Sequence, residues 1–129
     1  MFYAIIDSAS LKNPTILNDF KPRKITVSYE PESKTAKYHY NFLLEFKNDK
    51  IMTVIPKIQK EMLLSWYTFF WDENILYIVF KTRKFQIDLL NGWTSEEYKT
   101  AQKFGKTQNI PDDYLDFKKY FKPTKEISK

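Results

Sequence analysis

Residues Ile75–Trp93, ILYIVFKTRKFQIDLLNGW, decide how the rest of the chain is read. Two strands joined by the charged turn Lys81-Thr82-Arg83-Lys84 account for the pattern. The second strand alternates, with Phe85, Ile87 and Leu89 on one side and Lys84, Gln86 and Asp88 on the other. The first has no polar side: Leu76, Ile78 and Phe80 point one way, Ile75, Tyr77 and Val79 the other. A strand apolar on both faces is a strand covered twice, whereas a one-sided strand leaves a face to water. Ile75–Phe80 is therefore expected in the middle of an antiparallel sheet.

Toward the amino end, Phe2–Ile6 reads as a short strand and residues 7–22 as loop, broken at Asn13-Pro14 and Lys21-Pro22. Arg23–Glu30 alternates, with Ile25, Val27 and Tyr29 expected inward and Lys24, Thr26 and Ser28 outward. After the turn Pro31-Glu32-Ser33 comes the longest strand. Ala36, Tyr38, Tyr40, Phe42, Leu44 and Phe46 share one face; Lys37, His39, Asn41 and Glu45 share the other, with Leu43 its one apolar member. That alternation predicts a half-exposed antiparallel strand. Lys47-Asn48-Asp49-Lys50 turns the chain into a strand Ile51–Ile55, closed by Pro56. From Lys57 the period changes: Ile58, Met62, Trp66 and Phe69 form a helical stripe, widened by Leu63, Tyr67 and Phe70 and stopped at Asp72-Glu73-Asn74.

Beyond Gly92 the punctuation is helical. Thr94-Ser95-Glu96-Glu97 offers a capping box, and Gly105 stands where a left-handed closing residue belongs. Pro111 opens a second helix whose buried stripe is Ile110, Tyr114, Phe117 and Phe121, and Pro123 ends it. With only two glycines in the chain, both are expected at positive φ or in close contact. The expected fold is α+β: an antiparallel sheet of five or six strands packed with about three helices, two of them C-terminal. It forms one globular domain over residues 1–121, with a flexible Lys-rich tail at 122–129.

Composition bounds the function. Apolar residues make up 43% and charged residues 29%, as in a globular domain. The absence of cysteine excludes a disulfide framework, a thiolate nucleophile and a Cys-type zinc site. MFYAII is too short and lacks the basic lead-in of a signal peptide, and Met62–Trp71 falls short of a membrane span. A cytoplasmic protein with no membrane partner is expected. The net charge of +5 is concentrated at one end: the last twelve residues carry five lysines and one glutamate, while residues 1–117 carry 16 basic and 15 acidic side chains. A body so close to neutrality argues against nucleic acid as the partner.

The chain offers few candidates for chemistry. His39 is the only possible imidazole base, and its strand position places it on the polar face beside Lys37 and Asn41. One histidine and no cysteine leave no zinc ligand set. The acidic pairs Asp72/Glu73, Glu96/Glu97 and Asp112/Asp113 sit at turns and helix ends, where capping and dipole effects favour acids. No phosphate-cradling glycine motif is present. These residues point to no catalytic site, metal or cofactor. Aromatic residues reach 18%, but Tyr38, Tyr40 and Phe42 share their face with Leu44 and Phe46 and are expected in the core rather than stacked on bases.

Gly92–Phe117, GWTSEEYKTAQKFGKTQNIPDDYLDF, resembles the C-terminal part of immunity proteins from bacterial contact-dependent growth inhibition toxin/immunity systems. Some of these carry a capped helix ending near "YG" or "FG", then an "IP-acid-x-x-L-D-F" helix. The matching positions are Phe104-Gly105 and Ile110-Pro111-Asp112-Asp113-Tyr114-Leu115-Asp116-Phe117. The resemblance implies a non-catalytic antitoxin that binds a co-encoded toxin domain one to one and blocks its active site. The contacts expected on that reading are Glu96, Glu97, Asp112, Asp113 and Asp116, which could meet a basic cleft. The chain departs from the acidic character common among immunity proteins of basic nucleases. The alternative is a small nucleic-acid or phosphate-binding module using Lys81, Arg83, Lys84 and the tail. A third is an enzyme such as a nuclease built on His39 and lysines.

Overall fold

A computed structural model describes residues 1–32 and 37–122. Ala36, Pro123, Lys125 and Lys129 lie outside the described residues, as does all of the expected tail after Lys122. Six strands form one antiparallel sheet: β1 (Phe2–Asp7), β2 (Pro22–Tyr29), β3 (Tyr38–Phe46), β4 (Tyr67–Trp71), β5 (Ile75–Phe80) and β6 (Lys84–Asp88). Their spatial order is β2-β3-β1-β4-β5-β6. Three α-helices accompany them among the described residues, α1 (Ile51–Glu61), α2 (Glu96–Thr107) and α3 (Phe117–Tyr120), the last two C-terminal. The fold is the α+β arrangement expected from the sequence.

Each interior strand feeds two cores. Phe2, Ala4 and Ile6 of β1, Leu44 of β3, Phe70 of β4 and Val79 of β5 face α1, where they meet Ile51, Val54, Ile55, Ile58 and Met62. Leu11 and Leu17, from the short 3-10 turns that follow β1, complete that core. On the opposite face Leu43, Phe69, Trp71, Leu76, Ile78, Phe80, Phe85 and Ile87 pack against Tyr98, Ala101, Ile110, Leu115 and Phe117. Strand β5 is thus apolar on both sides because it is covered on both sides. It is not the middle of the sheet, however: β1 and β4 hold that place, and β5 lies next to the edge strand β6. Double cover depends on where helices cross the sheet, not on a strand's rank in it.

The region 51–71 corrects the sequence expectation most. Ile51–Ile55 is the first half of a helix, not a strand, and Tyr67–Trp71 is a strand, not the end of a helix. Buried Ile51, Val54, Ile55, Ile58 and Met62 carry the helical spacing themselves. Pro56 lies inside α1. It removes the amide that would bond the Met52 carbonyl, and Met52 is exposed on the wet side, where water can serve that carbonyl.

The β2–β3 hairpin also departs from expectation. Ile25, Val27 and Tyr29 are exposed rather than inward, and so are Tyr38 and Tyr40. Only the distal part of that face, Phe42, Leu44 and Phe46, reaches the α1 core. Alternation separated the two faces of β3 correctly, but cover ends before Tyr40, and on the other face His39 is buried.

The C-terminal helices differ in their ends. Ser95, not Thr94, caps α2: its hydroxyl accepts from the Tyr98 amide at 3.2 Å and donates to the Gly92 carbonyl at 2.6 Å. Asn109, not Gly105, is the left-handed closing residue, at φ 63°. The Ile110 amide reaches the Gly105 carbonyl and the Asn109 amide reaches Lys106, the paired bonds of a Schellman closure. Residues 112–120 form a 3-10 turn, Asp112–Leu115, and then the single turn α3, in place of one longer helix. Leu115 is accordingly buried, and Tyr114 is exposed.

Candidate functional site

Leu115 determines how the acidic residues are displayed. It lies against Gly105 of α2, so close that a Cβ there would stand 2.4 Å from Leu115 Cδ2. The Gln102 amide donates to the Leu115 carbonyl at 2.9 Å, and the Tyr98 hydroxyl accepts from the Lys118 amide at 3.1 Å. These bonds lay residues 112–118 back along α2. Between the anchors Asp116 is turned outward, as are Asp112 and Asp113 before them, while Phe117 is buried in the core.

Asp112, Asp113 and Asp116 therefore surround one surface depression together with Tyr114, Lys119 and Tyr120. The two tyrosine rings lie 6.1 Å apart. Tyr67 reaches the rim, its hydroxyl donating to the Tyr114 carbonyl at 2.5 Å. Burial, with smaller contributions from Tyr120, Tyr98 and Asp116, pushes the Tyr67 phenol above its ordinary range. Burial likewise raises that of Tyr98, against the lowering effect of the Lys118 amide.

The expected set of five acids is not one cluster. Glu96 and Glu97 open α2, while Asp112 sits beside Lys106, ten residues further along the same helix. That separation is about 15 Å at 1.5 Å per residue. All five are exposed. Lys99 lies 3.5 Å from Glu96 and Lys106 3.8 Å from Asp112, so two of the charges have partners. Asp113 and Asp116 have no ion pair among the described residues, and Lys119 lines the same depression with its ammonium 5.5 Å from the centre of the Tyr120 ring.

The basic residues of the alternative reading are engaged within the fold. Lys81 donates to the Gln59 and Lys60 carbonyls at the end of α1, at 3.3 and 3.0 Å. The Arg83 guanidinium stacks over Phe85 and Phe104, 4.5 and 5.2 Å from the ring centres. Lys84 lies over Tyr77 at 6.0 Å. Arg83 and Lys84 nevertheless remain exposed in the turn.

His39 is the residue that sequence reasoning misplaced. Its side chain is 8% exposed, with Nδ1 against the Asp7 carboxylate and Nε2 3.0 Å from Glu30 Oε2. The Trp66 ring packs 6.1 Å away. Asp7 uses its other oxygen to accept from the Ala9 amide at 2.9 Å. The imidazole thus joins the ends of β1 and β2 to β3. Both ring nitrogens face carboxylates of the chain itself, an arrangement suited to holding strands. No local signal marked it, because Asp7 and His39 are 32 residues apart. No group of three or more His, Cys, Asp or Glu suited to a metal occurs among the described residues. Nor is any of their helices long and apolar enough to cross a membrane. No protein family, curated protein or solved structure matches this chain.

Proposed function

We propose that the protein is a non-catalytic immunity protein that binds a cognate toxin domain, one toxin per chain, and neutralises it in the cytoplasm without cofactor or metal. The observation that carries this reading is the patch on the 112–120 segment. Asp112, Asp113 and Asp116 stand around one depression with two exposed tyrosines. Carboxylates steer a basic partner into register, and tyrosines supply the contact area that dominates binding energy at interfaces. Glu96 and Glu97, at the far end of α2, act in this reading as an outer field rather than as direct contacts.

The test uses the toxin domain encoded beside the protein's own gene. Wild-type protein should bind it one to one and protect cells that produce it. Reversing Asp112, Asp113 and Asp116 together to lysine should slow association about tenfold or more at low salt, with a smaller effect at high salt. These side chains are exposed, so the melting temperature should stay close to that of the wild type. Equal association rates for the two proteins would remove the patch from the interface. Failure of the wild type to bind or protect would remove the immunity reading itself.

A further inference from the structure

At the edge of the sheet away from β6, β2 has no strand on its outer side among the described residues, and it carries an apolar face. Ile25, Val27 and Tyr29 are 50%, 56% and 59% exposed. Their cross-strand neighbours continue the surface, since Val27 pairs with Tyr40 and Tyr29 with Tyr38. The Tyr29 and Tyr38 rings lie 5.1 Å apart. Edge strands are normally guarded by charge, proline or a bulge. Here Pro22 and the register shift between Pro22 and Lys24 guard only one end. Over Ile25–Tyr29, ITVSY, there is no charge, proline or glycine.

The ends of that run are charged with opposite sign, in the sequence Lys24-Ile25-Thr26-Val27-Ser28-Tyr29-Glu30. We infer that the occupant of this edge is a second copy of the chain, paired antiparallel through β2 about a twofold axis at Val27. In that register Lys24 of each copy lies opposite Glu30 of the other, so the charge match occurs twice. Ile25 meets Tyr29, Thr26 meets Ser28, and Val27 meets its own equivalent. The apolar faces then join into one ribbon, and the two sheets continue as one. An isologous contact of this kind closes at two copies. A parallel pairing would set Lys24 against Lys24 and Glu30 against Glu30. A slip of two residues would leave Glu30 opposite Pro22 or Thr26.

The proposed toxin-binding patch is carried by the layer in which Phe104 of α2 packs on Phe80 and Phe85, strands away from β2. A dimer would leave both copies of the patch free, so this inference stands independently of the immunity reading.

Sedimentation equilibrium of the whole chain at low salt, over a wide concentration range, is the deciding measurement. The average mass should climb from 15.6 kDa toward twice that value. Val27→Lys, which sets two ammonium groups face to face on the axis, should stay at the monomer mass with an unchanged circular dichroism spectrum. Lys24→Glu and Glu30→Lys should each weaken self-association, and mixing the two variants should restore a dimer containing one of each. Should Glu30→Lys disturb the hairpin through its His39 contact, Val27→Lys and Lys24→Glu still decide the matter. Reversal of Asp112, Asp113 and Asp116 should leave the dimer intact. A wild type at monomer mass throughout, or a Val27→Lys variant that dimerises like the wild type, would overturn the inference.

Discussion

Gly105 and Asn109 divide two tasks that the sequence pattern assigns to one glycine. Asn109 takes the left-handed conformation, while Gly105 stays helical and yields its side-chain space to Leu115. Gly105→Ala would gain about 1 kcal/mol of helix propensity but incur an overpacking cost of roughly 1–3 kcal/mol, since Leu115 is itself buried. A net loss is expected in urea melts. Gly105→Ala combined with Leu115→Ala should then lose less than the sum of the single changes. His39 poses a different problem. Removing it leaves Asp7 partly buried without its partner, whereas Glu30, 53% exposed at its side chain, can turn to water. His39→Ala is therefore expected to cost about 1–3 kcal/mol, as leaving a buried acceptor without its donor does. An unchanged melting midpoint would mean that the imidazole does not hold the three strands together.

Elements were legible where one feature decided them. The β5–β6 hairpin follows directly from an all-apolar strand, a charged turn and an alternating strand. The interval 51–71 was not legible in the same way, because it holds two signals at once. Its aromatic residues continue the helical stripe of α1, and Pro56 imitates a strand end. What distinguishes them is tertiary: Leu11 bridges to Met62 where the helix stops, freeing 67–71 to pair between β1 and β5. The acidic patch was visible as residues, but not its division along α2, since the antiparallel return of 112–118 depends on Gly105 and Leu115. Tyr67 of β4 and Tyr98 of α2 also confer a pH response. The Tyr67 and Tyr98 phenols titrate higher in the fold than their ordinary value of 10.0, chiefly through burial. Their stabilising contribution is complete below that value. As pH rises beyond it, the unfolded chain releases these protons before the folded one does, so stability falls. Denaturation at increasing alkaline pH should show a shallower decline for Tyr67→Phe than for the wild type. At neutral pH the variant should be the less stable of the two by about 1 kcal/mol, having lost its bond to the Tyr114 carbonyl. Parallel alkaline curves would assign the decline to other groups.

On the scale of the whole molecule, the two cores share a single sheet. Phe69 and Phe70, adjacent in β4, belong to opposite cores, so neither layer can loosen without disturbing the same backbone. Ile55→Ala on the α1 side and Ile78→Ala on the α2 side should each cost about 2–5 kcal/mol. Gln86→Ala, on the exposed side of β6, should stay within about 0.5 kcal/mol. Tryptophan fluorescence and circular dichroism should report one coincident transition for all three variants. Separate midpoints for either isoleucine variant would show that the layers unfold independently.

The central place of β1 has a consequence for how the chain is made. Its neighbours are β3, which ends at Phe46, and β4, which ends at Trp71. During synthesis Phe2–Asp7 therefore leaves the ribosome well before either flanking strand exists. Until Trp71 has emerged, one edge of β1, with its row of amides and carbonyls, remains open to whatever else the nascent chain encounters.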